Sequence, residues 1–332
     1  MPIVFKVPPI SLSTAHWLAG LFAVSYVGSL YLSKNARLSF RKGRVQLRQG
    51  QQRGKAQDER WRDDPEVIRA RLVAVSVSTL SSCLVVLGLV WKVIDRKYGL
   101  FVAYETTLVR LGFDFTASRT ALLLPCLVTP VLYLGPLYAY WLSGSLPFQC
   151  NWSWRWSFLP LFTTLQGVRN YVVGPITEEI VFRCCSLAVY HLAGASKAQM
   201  IFTTPWLFGL AHAHHAWDTF NRYGRTGAAA KRALLATIFQ TVYTSLFGFH
   251  CAYLFLRTGS LLAPITAHIF CNIMGLPQYG EQIARFPLHR REIRIAYLLG
   301  VVGYVYTMGA WTRAEDSLYW RPPWDAHIIT MY

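Results

Sequence analysis

Leu72-Val73-Ala74-Val75-Ser76-Val77-Ser78-Thr79-Leu80-Ser81-Ser82-Cys83-Leu84-Val85-Val86-Leu87-Gly88-Leu89-Val90-Trp91 runs for twenty residues without a charge. As a helix it rises about 30 Å, the thickness of a bilayer's hydrocarbon core. Working outward from this run, apolar stretches of similar length predict spans near 10–33, 72–94, 120–143, 157–177, 196–217, 232–256, 259–276 and 293–312. The fourth is expected to continue as helix to about Leu192. The chain therefore reads as an all-α, polytopic membrane protein with about eight transmembrane helices. No repeat or soluble segment divides it, so 1–332 is read as a single integral-membrane domain.

Composition agrees. Of the 332 residues 53% are hydrophobic and 15% charged, against about 25% charged in soluble domains. The 33 Lys+Arg against 16 Asp+Glu give +17. Nucleic-acid binding is one reading of that excess, but the cations lie between apolar spans and fit a basic rim facing anionic lipid, so membrane lipid and not nucleic acid is the expected partner. The seven cysteines form no CxxC pair and are read as small apolar residues rather than a disulfide framework. The first apolar run exceeds a signal-peptide core and is read as a retained span.

Loop charge sets the expected orientation. The 34–71 segment holds twelve Lys and Arg residues, and the positive-inside rule places it in the cytoplasm. Alternation puts 144–156, 218–231 and 277–292 on the same side and both termini on the other. The sequon Asn151-Trp152-Ser153 then faces the cytoplasm and is expected to stay unmodified. The stretch 34–66 reads as a partly disordered basic loop lying against lipid, with substrate recruitment as the other reading, and 313–332 as a tail.

Against this apolar background Glu178-Glu179-Ile180-Val181-Phe182-Arg183 is the outlier. A carboxylate in hydrocarbon costs several kcal/mol and marks a candidate functional site. Glu179 and Arg183, four apart, share a helix face and can pair. Glu178 is turned about 100° away and is the candidate reactive carboxylate. A structural charge cluster explains this motif alone almost equally well. Phe208-Gly209-Leu210-Ala211-His212 ends the next span, followed by His214 and His215. Three histidines invite a metal reading, yet they are spread around the helix and form no HExxH pair. His268 and Asn272, again four apart, can donate hydrogen bonds to a developing oxyanion or line an ordinary polar helix contact.

Taken together, EExxxR, FxxxH and HxxxN resemble, in order and spacing, the type II CAAX prenyl endopeptidases. The flanks Arg169-Asn170-Tyr171-Val172-Val173-Gly174-Pro175 and Arg62-Asp63-Asp64-Pro65 are similar to the eukaryotic branch, and the resemblance covers most of 60–310. It implies an intramembrane endopeptidase whose helices enclose a catalytic cavity. The enzyme would remove the C-terminal aaX tripeptide from prenylated CaaX proteins, which would be its partners. Glu178 would activate water and His212 would position or polarise it. His268 and Asn272 would stabilise the oxyanion, with Glu179, Arg183 and Phe208 in support. No Ser or Cys sits in a Gly-x-Ser-x-Gly context, in keeping with direct attack by water. A prenyl chain of about 15 or 20 carbons, at roughly 0.8 kcal/mol per buried methylene, would supply much of the affinity. The family implies an endoplasmic reticulum membrane, with the cavity open to the cytosol.

No cofactor is expected. A zinc-dependent version of the protease, with Glu178, His212 and His268 as ligands, is the first alternative. A transporter or channel whose intramembrane Glu and His groups relay protons or bind a substrate is the second, and a catalytically silent prenyl-protein-binding protein the third.

Overall fold

Ser11 starts the first helix, α1 (Leu12–Leu32), by accepting the Thr14 amide at 3.1 Å, which satisfies one of the donors every helix start leaves open. The computed structural model describes residues 3, 5, 7–48, 50–94, 98–313 and 317–320, so most of the predicted tail lies outside the described residues. Among those described, the chain is helical apart from turns, loops and one isolated antiparallel bridge between Ser39 and Arg60. It forms two compact units, one from residues up to 111 plus 177–253, the other from 112–176 plus 254–322.

In the first unit α1 packs on α2 (Pro65–Val93). Pro65 suits the first turn of α2, where its missing N–H is not needed. The buried face of α2 repeats every three to four residues through Val67, Arg71, Val75, Ser78, Ser82, Val86 and Val90. Small hydroxyl residues at this contact let the helices approach, and Ser25 and Ser78 hydrogen-bond across it at 2.9 Å. The opposite faces carry exposed Trp17, Val24, Val73, Val77 and Leu80, as a helix bordered by lipid requires. α3 (Gly99–Arg110) packs against α2.

The segment joining α1 and α2, expected to be a partly disordered loop, is folded around Glu59. This buried carboxylate accepts from the amides of Arg41 (2.6 Å) and Ala56 (3.1 Å), the indole of Trp61 (3.1 Å) and the guanidinium of Arg53 (2.9 Å). Arg53 also donates to the Asn221 carbonyl at 2.9 Å, and the Val45 amide bonds the Gly224 carbonyl at 2.9 Å. Burial alone would raise the Glu59 carboxyl, but these donors outweigh it and hold the pKa at about 2.

In the second unit α4 (Arg119–Leu132) and α5 (Leu134–Leu142) meet at a 69° bend. Pro136 has no N–H to offer the Leu132 carbonyl, which accounts for the break. The predicted span 157–177 is also fragmented. It comprises a π-turn (Trp154–Phe158), α6 (Leu159–Thr163), α7 (Leu165–Val168) and a second π-turn (Arg169–Val173). α8 (Gly174–Glu179), a third π-turn (Ile180–Cys185) and α9 (Ser186–Leu192) then carry the chain to the expected end at Leu192. Within α8 the chain passes from the second unit to the first.

The predicted span 196–217 is divided too, into α10 (Lys197–Phe202), α11 (Thr204–Ala211), a 3-10 turn at His212–His214 and α12 (His215–Arg222). Pro205, in the first turn of α11, has no N–H to offer the Ile201 carbonyl, which explains the first break. α13 (Gly227–Thr258) runs 32 residues and returns the chain to the second unit. There α14 (Leu262–Met274), α15 (Tyr279–Arg285) and α16 (Arg290–Ala310) follow. α16 lies against α4 and α5, where a Cβ on Gly135 would come within 2.2 Å of the Tyr297 ring.

By length and hydropathy three helical stretches among the described residues can cross a bilayer: α1, α2 and Pro287–Ala310. The α4–α5 pair makes a fourth if it is one broken span. The count of eight predicted from apolar runs is thus not reproduced by unbroken helices. Prolines and π-turns divide three of the runs, and Gln240, Thr241, Thr244 and His250 lower the apolar character of α13.

Candidate active site

In the first unit the site grows from α8 and the π-turn that follows it. Glu179 is fully buried and Arg183 is 1% exposed. Arg183 Nε lies 3.2 Å from Glu179 Oε2, the pair that the i,i+4 spacing predicts. Two such charges away from water persist only when each neutralises the other. Phe208 covers the guanidinium, 4.2 Å from its ring centroid, and Phe247 on α13 lies 5.9 Å away. Planar guanidinium against an aromatic face adds a cation–π attraction in this dry setting. Glu178, next in sequence, is half-buried rather than enclosed. The neighbouring Thr177 hydroxyl bonds Tyr26 of α1 at 2.9 Å.

The Phe208 ring also touches His212, edge to face at 4.7 Å between centroids. His212 Nδ1 lies 2.8 Å from the Phe208 carbonyl. A carbonyl only accepts, so Nδ1 carries the hydrogen, and in the neutral ring Nε2 is an acceptor. That nitrogen is suited to hold a water by one of its hydrogens. Gly209, between them, faces Ser245: a Cβ there would come within 2.2 Å of Ser245 Oγ and 2.7 Å of the Thr241 carbonyl. His214 bonds the Ala211 carbonyl at 2.7 Å, and its ring lies 4.0 Å from that of His215.

In the second unit His268 and Asn272 lie on α14. His268 is buried and Asn272 exposed. Asn272 Nδ2 donates to the Asn170 carbonyl at 2.9 Å, in the π-turn ahead of Gly174-Pro175. Arg169 Nε donates to Asn170 Oδ1 at 2.9 Å. One amide hydrogen of Asn272 is therefore used in fixing this turn, and the second is left for another acceptor.

The structure thus ties Glu179, Arg183, Phe208 and His212 into one chain of contacts and holds Asn272 to Asn170 in another. Among the described residues no group of three or more His, Cys, Asp and Glu side chains is placed to hold a metal ion. Sequence reasoning did not single out Tyr26, Asn170 or Phe247. Asn170 stood in a quoted flank, and Phe247 is one aromatic among 49. Nothing in the first apolar span sets Tyr26 apart.

An apolar helical chain with buried paired charges and a half-buried carboxylate beside them is the pattern of a membrane protein with a polar intramembrane site. Residues 160–274 match the family model "Type II CAAX prenyl endopeptidase Rce1-like", an interval that contains every candidate residue. The chain is similar to the probable CAAX prenyl protease 2 of Schizosaccharomyces pombe, 32% identical over 75% of this chain and 82% of that protein. Its identity to CAAX prenyl protease 2 of Homo sapiens is 34%, over 84% of this chain and 75% of the relative. CAAX prenyl protease 2 of Arabidopsis thaliana is 40% identical over 48% and 50% of the two chains. No solved structure matches. The chain belongs to the type II CAAX prenyl endopeptidase family and is a polytopic membrane protease.

Proposed function

We propose that this chain cleaves prenylated CaaX C-termini, releasing the aaX tripeptide and leaving a prenylcysteine carboxylate. The observation that carries the mechanism is the division between two adjacent carboxylates. Glu179 is sealed against Arg183, while Glu178 is half-buried one residue away. Glu178 takes a proton from water as that water attacks the scissile carbonyl and returns it to the departing nitrogen as the C–N bond breaks, a role for which a carboxylate in a low-dielectric site is suited. His212, its tautomer fixed by the Phe208 carbonyl, accepts a hydrogen from the same water and orients it. His268 and the second amide hydrogen of Asn272 donate to the oxyanion of the tetrahedral intermediate. Glu179, Arg183 and Phe208 hold the helix that presents Glu178. The prenyl chain supplies much of the binding energy. The enzyme acts in the endoplasmic reticulum membrane with its cavity open to the cytosol, as the cationic loops favour.

The test is cleavage of a farnesylated CaaX peptide by purified protein, with the unprenylated peptide as control and a strong chelator in parallel. Tripeptide release that requires the prenyl group and survives chelation is expected. Loss on chelation with recovery on added zinc would give Glu178, His212 and His268 to a metal instead. Absence of cleavage by folded protein would contradict the proposal.

A further inference from the structure

Where α2 and α13 begin, a cavity of about 350 Å³ opens in the first unit, apart from every residue placed in the reaction. Its lining includes Arg62, Arg222 and Arg232 together with Asp63, Asp218 and Tyr223. Arg222 is the fixed centre. Its Nε bonds Asp218 at 3.0 Å, its Nη2 meets Asp63 at 3.3 Å, and its plane lies over Trp61 at 4.7 Å. Arg232 stacks on the Tyr223 ring at 4.0 Å, and the Tyr223 hydroxyl accepts from Gln52 at 3.2 Å. The guanidinium groups of Arg222 and Arg232 are therefore held in place before anything binds, which lowers the entropy lost on binding. Both aspartates face Arg222, and Asp63 also lies 4.0 Å from Arg62 Nε; three arginines against two aspartates leave the lining with a net charge of one positive.

We infer that this cavity binds a phosphate ester, the singly charged phosphodiester of a phospholipid headgroup fitting it in charge and place. Guanidinium groups match phosphate oxygens through paired N–H donors. Asp63 precedes the first residue of α2 by two positions and Arg232 sits in the second turn of α13. The apolar body of α2 is long enough to cross a bilayer, so the polar end where the cavity lies is at headgroup depth. Lys231, exposed beside Arg232 on α13, adds a cation that draws anionic lipid toward it. A soluble phosphate ester has the same chemistry and is separated by the experiment.

The full-length protein in neutral-detergent micelles is titrated with dioctanoylphosphatidylglycerol and, separately, with inorganic phosphate, while its thermal unfolding is followed. The lipid should raise the midpoint saturably in the wild type and in Lys231→Gln, which removes a neighbouring charge outside the lining. Arg232→Gln, at an exposed position, and Arg62→Gln should each need at least about tenfold more lipid for the same rise. Equal potency of inorganic phosphate would uphold the site and assign it to a soluble ester. A rise weakened as much by Lys231→Gln as by Arg232→Gln, or no saturable rise, would overturn the inference.

Discussion

Glu178 and Glu179 are adjacent in sequence and differ in nearly everything else. Glu179 is enclosed with Arg183, so its charge is consumed structurally. Replacing it by Gln leaves a guanidinium buried without its counter-charge, and the expected loss is about 3–5 kcal/mol, read as a fall in the unfolding midpoint in detergent. Glu178→Gln leaves the buried Glu179–Arg183 pair intact. It should leave that midpoint unchanged and lower tripeptide release by a factor of about 10² to 10⁴. A comparable midpoint loss in both variants would erase the distinction. This division was legible in the sequence because helix periodicity alone separates the two side chains by about 100°. The tautomer of His212 was not, since it depends on a backbone carbonyl, Phe208's, whose direction only the fold determines.

Elements were legible where they are long and uninterrupted and illegible where single residues break them. α1 and α2 lie close to the spans predicted at 10–33 and 72–94, although α2 starts at Pro65, ahead of its apolar run. The run at 157–177 is broken by π-turns, which shift hydrogen bonds by one residue without changing hydropathy. Close helix contacts are equally invisible to composition. Gly135→Ala should force the Tyr297 ring aside and cost about 1–3 kcal/mol, measurable in the same unfolding assay. The segment between α1 and α2 misled for the opposite reason. Its charge suggested disorder, but one acidic residue gathers four groups of donors. Because the Glu59 pKa falls from 4.5 to about 2 on folding, its contribution is full above about pH 4.5 and is lost as pH falls toward 2. Hydrogen-exchange protection over 41–61, corrected for intrinsic rates, should therefore hold from pH 7 to 5 and decline below 4.5. Glu59→Gln should show the declined protection already at pH 7.

For the whole molecule, the all-helical membrane architecture followed from hydropathy, and the family from three short motifs that no composition argument could have joined. Between them lies the chemistry, which neither fold nor family membership dictates. The proposed cytosolic orientation, which puts 144–156 in the cytoplasm, predicts that Asn151 carries no glycan in a eukaryotic cell, so endoglycosidase treatment should leave the mass of the protein unchanged. The most direct test of the account compares aaX release from a farnesylated CaaX peptide by wild type and Glu178→Gln, both in nanodiscs and both shown to unfold at the same temperature. Release by the wild type, with loss of at least about a hundredfold in the variant, is the predicted result. Undiminished release by Glu178→Gln would contradict water activation by this carboxylate.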